Sequence, residues 1–414
     1  MSGWDFNAPL ESPLQDREVL LEGSHLAGKR IALLVTGSIA AIKAPLIARA
    51  LRRQSAEVVA FVSSEALRYT TVEALEWSTT NPVITKLTAA AEHLSDDRPF
   101  AAYVVAPATY NTINKLRYGI ADGVVTSSVA SAIGRMERGK TKVLLAPTMH
   151  GSLHNSLLTE SLKHLQTMGV KIIPPKVAYG KNNLPTEALI VSEVIRALSN
   201  SSLKSIPILV TGGTTPVPID NVRAIATRFT GRLGGCIAEE LYYRGAGVKL
   251  LKGQGNYNPP EYLPYRTIDT YQEYRQTVIE ELAQNKYQWG IFSAAVADYQ
   301  PKQVFSGKIP SGGALQIELI PTAKVIAEVR SKYPQLNMIT FKYQENVTHE
   351  ELMAIAYQRL EQNYQMVVAN RGEEKGANGE QIAYLVTNDL QQKVIGKKKI
   401  AIAIADWLEV AVNL

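Results

Sequence analysis

The sequence predicts an α/β protein built from two doubly wound open sheets in succession. Three observations carry this. Short apolar runs alternate with helical stretches along the whole chain, the pattern of strands buried on both faces by crossover helices. A strand that ends in a glycine turn and opens a helix occurs twice, as "VTGSIAA" at residues 35–41 and as "VTGGTTP" at 210–216. The length of 414 residues exceeds one ordinary core and suits two.

In order, the first series reads "RIALLVTG", "EVVAFVSS", "AAYVVAPA", "TKVLLAP" and "VKIIPP", with helices such as "APLIARALRR" between them. The segment "SNSSLKSIP" interrupts it with small polar residues and a proline, the composition of a linker. The second series follows as "ILVTGG", "VKLLKG", "WGIFSAAVADY", "MITFKY", "QMVVANRG" and "IAYLVT", and closes with the helix "KIAIAIADWLEVAVNL". We therefore expect an N-terminal arm over 1–26, a first domain over 27–199, a linker over 200–206 and a second domain over 207–414. Both domains are expected to be Rossmann-like, with ligands beyond the carboxyl ends of the strands where the strand order switches.

Composition narrows the classes of function. Hydrophobic residues make up 46% and charged residues 20%, and the mean hydropathy is −0.06, ordinary values for a folded protein with no surplus for membrane spans. The first residues hold acids and prolines where a signal peptide would hold a basic start and an apolar middle, so the expected location is the cytoplasm. The single cysteine, Cys236, excludes an intrachain disulfide and a multi-cysteine zinc site, and its setting in "GRLGGCIAEEL" reads as packing. The net charge of +6 is spread out. Its one basic run, Lys397 to Lys399, reads as a turn without interleaved aromatics, which argues against nucleic acid and suits small anionic ligands.

In the first domain neither G-x-G-x-x-G nor an acid ending the second strand is present, which argues against a dinucleotide. The second strand ends instead in Ser63 and Ser64, suited to a phosphate. The turn at Gly37, Ser38 and Ile39 opens a helix whose free N–H groups favour an anion. Two more strands leave the sheet through Ala-Pro into polar residues, "VVAPATYNTINKLRYGIADGVVTS" and "LLAPTMHGSLHNS". His93, alone in "AAEHLSDDRPF", reads from the residues themselves as a solvated or capping group.

"TGSIAAIK", "APATYNT", "NKLRYGIADG", His93 and "PTMH" together resemble the homo-oligomeric flavin-containing cysteine decarboxylases, specifically the decarboxylase half of bifunctional coenzyme A enzymes, over about residues 29–199. The resemblance implies a flavodoxin-like flavoprotein domain. It implies FMN held by Gly37, Ser38, Ile39, Ser63 and the Ala106–Asn111 loop, Thr109 included, with His93 as base or orienting group. His150 stands where the bacterial pattern has asparagine and is carried as a third catalytic candidate with His93 and Lys308. The flap "PPKVAYGKNNLP" lacks the cysteine that protonates the enethiolate, leaving Tyr179 and Lys181 as candidate donors.

In the second domain, the Gly212–Gly213 turn and the loop "FTGRLGG" offer two clusters of backbone donors, a large anion site. "GGTTPVPIDNVR", "TGRLG", "AAVADY", Lys308, "TFK" at 340–342 and "VVANR" resemble the phosphopantothenate–cysteine ligase half of the same enzymes, over about residues 206–410. That resemblance implies nucleotide contacts from Phe292, Ser293, Ala294, Asp298, Lys308 and Phe341. Lys308 would stabilise charge on the α-phosphate. Magnesium would bridge the phosphates, with no metal-ligating side chains assigned.

Three positions depart from the ligase pattern. Thr227 replaces an asparagine of "S-N-H-S-S-G", and Gln358 and Gln362 replace two helix lysines; Arg228, Arg232 and Arg359 are the compensating candidates. The expected function is ligation of 4′-phosphopantothenate with cysteine through an acyl-nucleotidylate made from CTP or ATP. FMN-dependent decarboxylation of phosphopantothenoylcysteine would follow in the first domain. A trimer-based homo-oligomer, up to a dodecamer, is implied. The departures leave two alternatives open: a flavin-dependent decarboxylase acting on another substrate beside a degenerate ligase half, and a non-catalytic flavin-binding scaffold.

Overall fold

The computed structural model describes residues 6–8, 10–94 and 97–413. The chain divides into two compact units, residues 1–198 and 199–414. No helix among the described residues is long and apolar enough to cross a membrane.

The first unit is built on five parallel strands: β1 (Arg30–Val35), β2 (Glu57–Val62), β3 (Ala102–Ala108), β4 (Lys142–Pro147) and β5 (Lys171–Ile172). Their order, β2-β1-β3-β4-β5, is the flavodoxin-like one, with its switch point between β1 and β3. Every residue of β3 is buried, as a central parallel strand requires. The apolar run "VKIIPP" yields only two strand residues, because Pro174 and Pro175 have no N–H to give to the ladder.

The helices of this unit are α1 (Ala44–Arg53), α2 (Val72–Thr79), α3 (Tyr110–Arg117), α4 (Val124–Glu137), α5 (Ser156–Thr167) and α6 (Glu187–Leu198). Several start where a small polar side chain caps them: Thr71 before α2, Thr109 before α3 and Asn155 before α5 each accept a first-turn N–H. In the core, Phe100 packs edge-on against both Phe61 and Tyr103, with ring centroids 5.7 and 5.3 Å apart. Leu26, within the expected arm, is fully buried, and the N–H groups of Glu22 and Leu26 donate to the carbonyls of Arg53 and Gln54 at the end of α1.

The second unit carries an eight-stranded sheet: β6 (Pro207–Gly212), β7 (Gly247–Lys252), β8 (Tyr265–Thr267), β9 (Trp289–Phe292), β10 (Asn337–Gln344), β11 (Met366–Arg371), β12 (Ile382–Val386) and β13 (Gln391–Ile395). The order is β8-β7-β6-β9-β10-β11-β12-β13. Strands β8 to β11 run parallel in the doubly wound arrangement, and β12 and β13 add an antiparallel edge. The switch point lies between β6 and β9. Residues 200–206, read from composition as a linker, belong to this unit: Leu203 is fully buried, and the Ser202 hydroxyl donates to the Glu409 carbonyl at 2.9 Å.

The helices here are α7 (Arg232–Tyr243), α8 (Tyr271–Gln284), α9 (Val325–Lys332), α10 (His349–Leu360) and α11 (Lys397–Ala411). Thr348 and Glu351 form a reciprocal capping box at the start of α10. The basic run Lys397–Lys399 forms the first turn of α11, not a free turn. "WGIFSAAVADY" does not continue as one strand. It breaks after Phe292, and Ala295–Val296 then pairs with Thr214–Thr215.

Candidate functional site

Each unit has a cleft at the carboxyl ends of its strands. In the first unit the cleft is about 1040 Å³ and opens at the β1/β3 switch point. Thr36, the residue after β1, ties the two strands together. Its buried hydroxyl donates to the Pro107 carbonyl at 2.7 Å and accepts the Thr109 N–H at 3.2 Å. Gly37 must be glycine here, since an added Cβ would lie 2.5 Å from the Glu65 Cβ. Ser38 then caps the helical turn that leads into α1, accepting the Ala40 N–H.

Gly37, Ser38, Ser63, Thr109, Asn111 and His150 all line this cleft. Others from the sequence reading do not. Ile39 is 67% exposed and outside the lining, and Ala106 is fully buried inside β3. His93 lies beyond the lining segment Thr85–Leu87, and its Nδ1 is buried without a hydrogen-bond partner among the described residues. Lys115 and Asp122, to which the stretch "NKLRYGIADG" by itself gives no role, both face the cleft. They form an ion pair at 2.5 Å, which holds the Asp122 carboxyl below its ordinary range.

The His150 Nδ1 accepts the Ser152 N–H at 3.2 Å. Met149 and His150 pair antiparallel with Lys181 and Asn182 of the flap, a hairpin of Lys176–Ala178 and Lys181–Asn183. Tyr179 sits at its tip, 96% exposed, and neither Tyr179 nor Lys181 lines the cleft. The Asn182 amide contacts the His154 ring at 2.6 Å. With hydroxyls and amides around apolar Leu87, Val124, Val125 and Met149, this donor set suits a planar phosphorylated group.

The second cleft, about 690 Å³, lies at the β6/β9 switch point. After β6, Gly213 turns with φ +86°, and an added Cβ would sit 2.7 Å from the backbone of Gly253 and Gln254. Gly231, the N-cap of α7, packs on it. The small-residue run after β9 is stitched to this turn. The Ser293 hydroxyl donates to the Thr211 carbonyl at 2.7 Å, the Ala295 N–H to the Gly213 carbonyl at 2.8 Å and the Ala297 N–H to the Thr215 hydroxyl at 3.1 Å. Only small side chains allow the two loops to close this tightly.

Gly213, Phe292, Ser293, Ala294, Asp298 and Phe341 line this cleft, as do Thr227, Arg232 and Arg359. Gly212 supports it from within β6 without lining it. Lys308 is exposed and outside the lining. Its segment is held elsewhere, because the Ile309 N–H donates to Asp220 and the Asn221 N–H to the Gly307 carbonyl. Gln358 and Gln362 are exposed and off the cleft, and Arg228 does not line it. Lys324, Lys342, Asn370 and Lys397 line it too; Lys342 and Asn370 lie within the matched stretches "TFK" and "VVANR" and Lys397 within the basic run, none with a role assigned from sequence, and Lys324 lies in no such stretch. Lys324 forms an ion pair with Asp298. Phe229 and Tyr343, also in the lining, meet edge-to-face at 5.2 Å.

The folds and clefts define a class: a two-unit α/β protein whose sheets each present a polar, glycine-turned cleft at their switch point. Residues 20–199 match the Flavoprotein family, and residues 203–411 match the DNA/pantothenate metabolism flavoprotein C-terminal domain family. The chain is 33% identical to the coenzyme A biosynthesis bifunctional protein CoaBC of Thermococcus kodakarensis over 93% of this chain and 95% of that protein. The Methanocaldococcus jannaschii protein of the same name is 31% identical over 92% and 94%, and that of Escherichia coli K12 27% over 83% and 86%. The chain belongs to the family of bifunctional coenzyme A biosynthesis proteins.

Proposed function

We propose that the second unit joins 4′-phosphopantothenate to cysteine at the expense of CTP or ATP, and that the first unit decarboxylates the resulting phosphopantothenoylcysteine with FMN. The observation that carries this reading is the pair of clefts, one per unit, on a chain aligned over 93% of its length with a bifunctional relative. In the first cleft, the turn at Gly37 and Ser38 and the side chains of Ser63, Thr109 and Asn111 would hold the flavin. When bound, that group supplies reversible two-electron redox chemistry. His93 and His150 are the groups of this unit assigned to proton handling.

In the second cleft the glycine turns at Gly213 and Gly231 would face phosphates with backbone N–H groups, and Phe292, Ser293, Ala294, Asp298 and Phe341 would border the nucleotide. Magnesium would be held by the phosphates, whose oxygens are the hard ligands it prefers. Lys308 would reach the phosphates only through a rearrangement of its segment. A homo-oligomer is supported by Ile39, Ile42 and Leu46, which are 67, 56 and 55% exposed and follow one another at helical spacing. The phosphorylated substrates do not cross a bilayer, which fits a cytoplasmic location.

The test is direct. The FMN-loaded protein is incubated with 4′-phosphopantothenate, cysteine and Mg²⁺ with CTP or ATP, and pyrophosphate and product mass are followed. Pyrophosphate release and a product lacking the cysteine carboxylate are expected. Absence of pyrophosphate with either nucleotide would reject the ligase half, and an undecarboxylated adduct as the only product would reject the decarboxylase half.

A further inference from the structure

The lining of the second cleft is unbalanced in charge. It holds five cationic side chains, Arg232, Lys324, Lys342, Arg359 and Lys397, and one acidic side chain, Asp298. Asp298 is already taken by Lys324. Lys342, on β10 directly after Phe341, is half-buried and has no carboxylate within ion-pair distance among the described residues. Burial pushes its ammonium below the ordinary lysine range, the neighbouring Arg359 adds repulsion, and the more distant Asp298 offsets only part of this.

Arg359, near the end of α10, is half-buried too. One of its nitrogens donates to the Phe341 carbonyl at 3.1 Å, which fixes the guanidinium beside Lys342. No ion pair binds it among the described residues. Folded proteins pair the charges they remove from water, and these two adjacent half-buried cations share only the long-range pull of Asp298, itself ion-paired with Lys324, which leaves them under-neutralised unless an anion completes the site.

We propose that Lys342 and Arg359 together grip the phosphate chain of the nucleoside triphosphate in this cleft; the proposal rests on the ligase reading above. A triphosphate matches an excess of cations better than the single phosphate of phosphopantothenate does. The planar fork of Arg359, anchored from behind, presents paired donors to phosphate oxygens, and Lys342 supplies a movable point charge. Lys342 is thus a binding residue whose cost to the free protein is offset when the nucleotide arrives.

The experiment uses the full chain and titration calorimetry with Mg-CTP, Mg-ATP and 4′-phosphopantothenate in separate runs, alongside the Tm of the free protein. Lys342→Met is expected to raise the Kd for the preferred nucleotide about tenfold or more, the loss of one charge-assisted contact. It should leave the affinity for phosphopantothenate unchanged, and the Tm of the free protein equal to or above that of the wild type. Lys342→Arg should retain nucleotide binding. Unchanged nucleotide affinity in Lys342→Met, a loss confined to phosphopantothenate, or a fall in the free protein's Tm would each overturn the proposal. A wild-type protein that binds neither nucleotide would instead reject the ligase reading on which it rests.

Discussion

The carboxylate of Asp220 accepts the backbone N–H of Ile309 at 3.0 Å, across 89 positions of sequence. The same side chain accepts the N–H groups of Val222 and Arg223 at 2.7 and 2.6 Å and pairs with the Arg223 guanidinium at 2.7 Å. One acid therefore ties the segment that carries Lys308 to the loop after the first glycine turn of the second unit. Asp220→Asn removes the charge and turns an acceptor into a donor facing those N–H groups. We expect faster amide exchange and proteolysis around residues 303–310 and at Val222 and Arg223, with little change elsewhere; equal protection of 303–310 in the variant would contradict the tether.

The same contacts make a pH prediction. The Ile309 N–H first, with Val222 and Arg223, holds the Asp220 carboxyl down at about 2, against 3.8 unperturbed. A depressed carboxyl contributes stability that is fully present above its unfolded value and is lost as pH falls through its folded one. Protection of residues 303–310 should accordingly decline between about pH 4 and pH 2 in the wild type, and Asp220→Asn should show no such decline in that window.

Gly213 sets the geometry of the second cleft. With φ at +86° and backbone atoms 2.7 Å from an added Cβ, alanine brings both strain and a clash. Gly213→Ala should lower stability by about 2 kcal/mol or more in urea unfolding and weaken nucleotide binding. A variant as stable as the wild type would mean that the turn relaxes more easily than its contacts imply.

Thr36 plays the corresponding part in the first cleft. Thr36→Val keeps the shape but leaves the Pro107 carbonyl and the Thr109 N–H without their partner, at a cost of about 1–3 kcal/mol. The expected readouts are a lower Tm and faster loss of bound FMN on dilution, followed by absorbance. Destabilisation without any change in flavin retention would detach Thr36 from the cofactor site.

Cys236 should behave as packing. It is half-buried on α7, and burial followed by the charge of Glu239 raises its thiol above the ordinary range. Titration with a disulfide reagent at neutral pH should be slow in the native protein and fast in denaturant. Rapid native reaction would assign the thiol a chemical role.

Much of the fold was legible because its determinants are local. The glycine turns at Gly37 and Gly213, the strands that precede them, and capping residues such as Thr109 and Thr348 act within a few positions, and apolar runs bounded by turn residues read as buried strands. The second-cleft residues Phe292, Ser293, Ala294 and Asp298 came from the family resemblance, and they line the cleft together because they leave one strand end. The brief β5, cut short by prolines, was over-read by apolar count alone.

What the residues alone determined is thus the order and type of elements and the positions of both clefts, because backbone conformation and strand burial respond to near neighbours. Tertiary structure decided which charges meet. Lys342 and Arg359 belong to different elements and are brought together through the Phe341 carbonyl, and the Lys308 segment is held by Asp220 outside the cleft to which the resemblance assigned it. Such pairings depend on strand order and loop closure, and no local pattern encodes the sum of charges that a folded cleft collects.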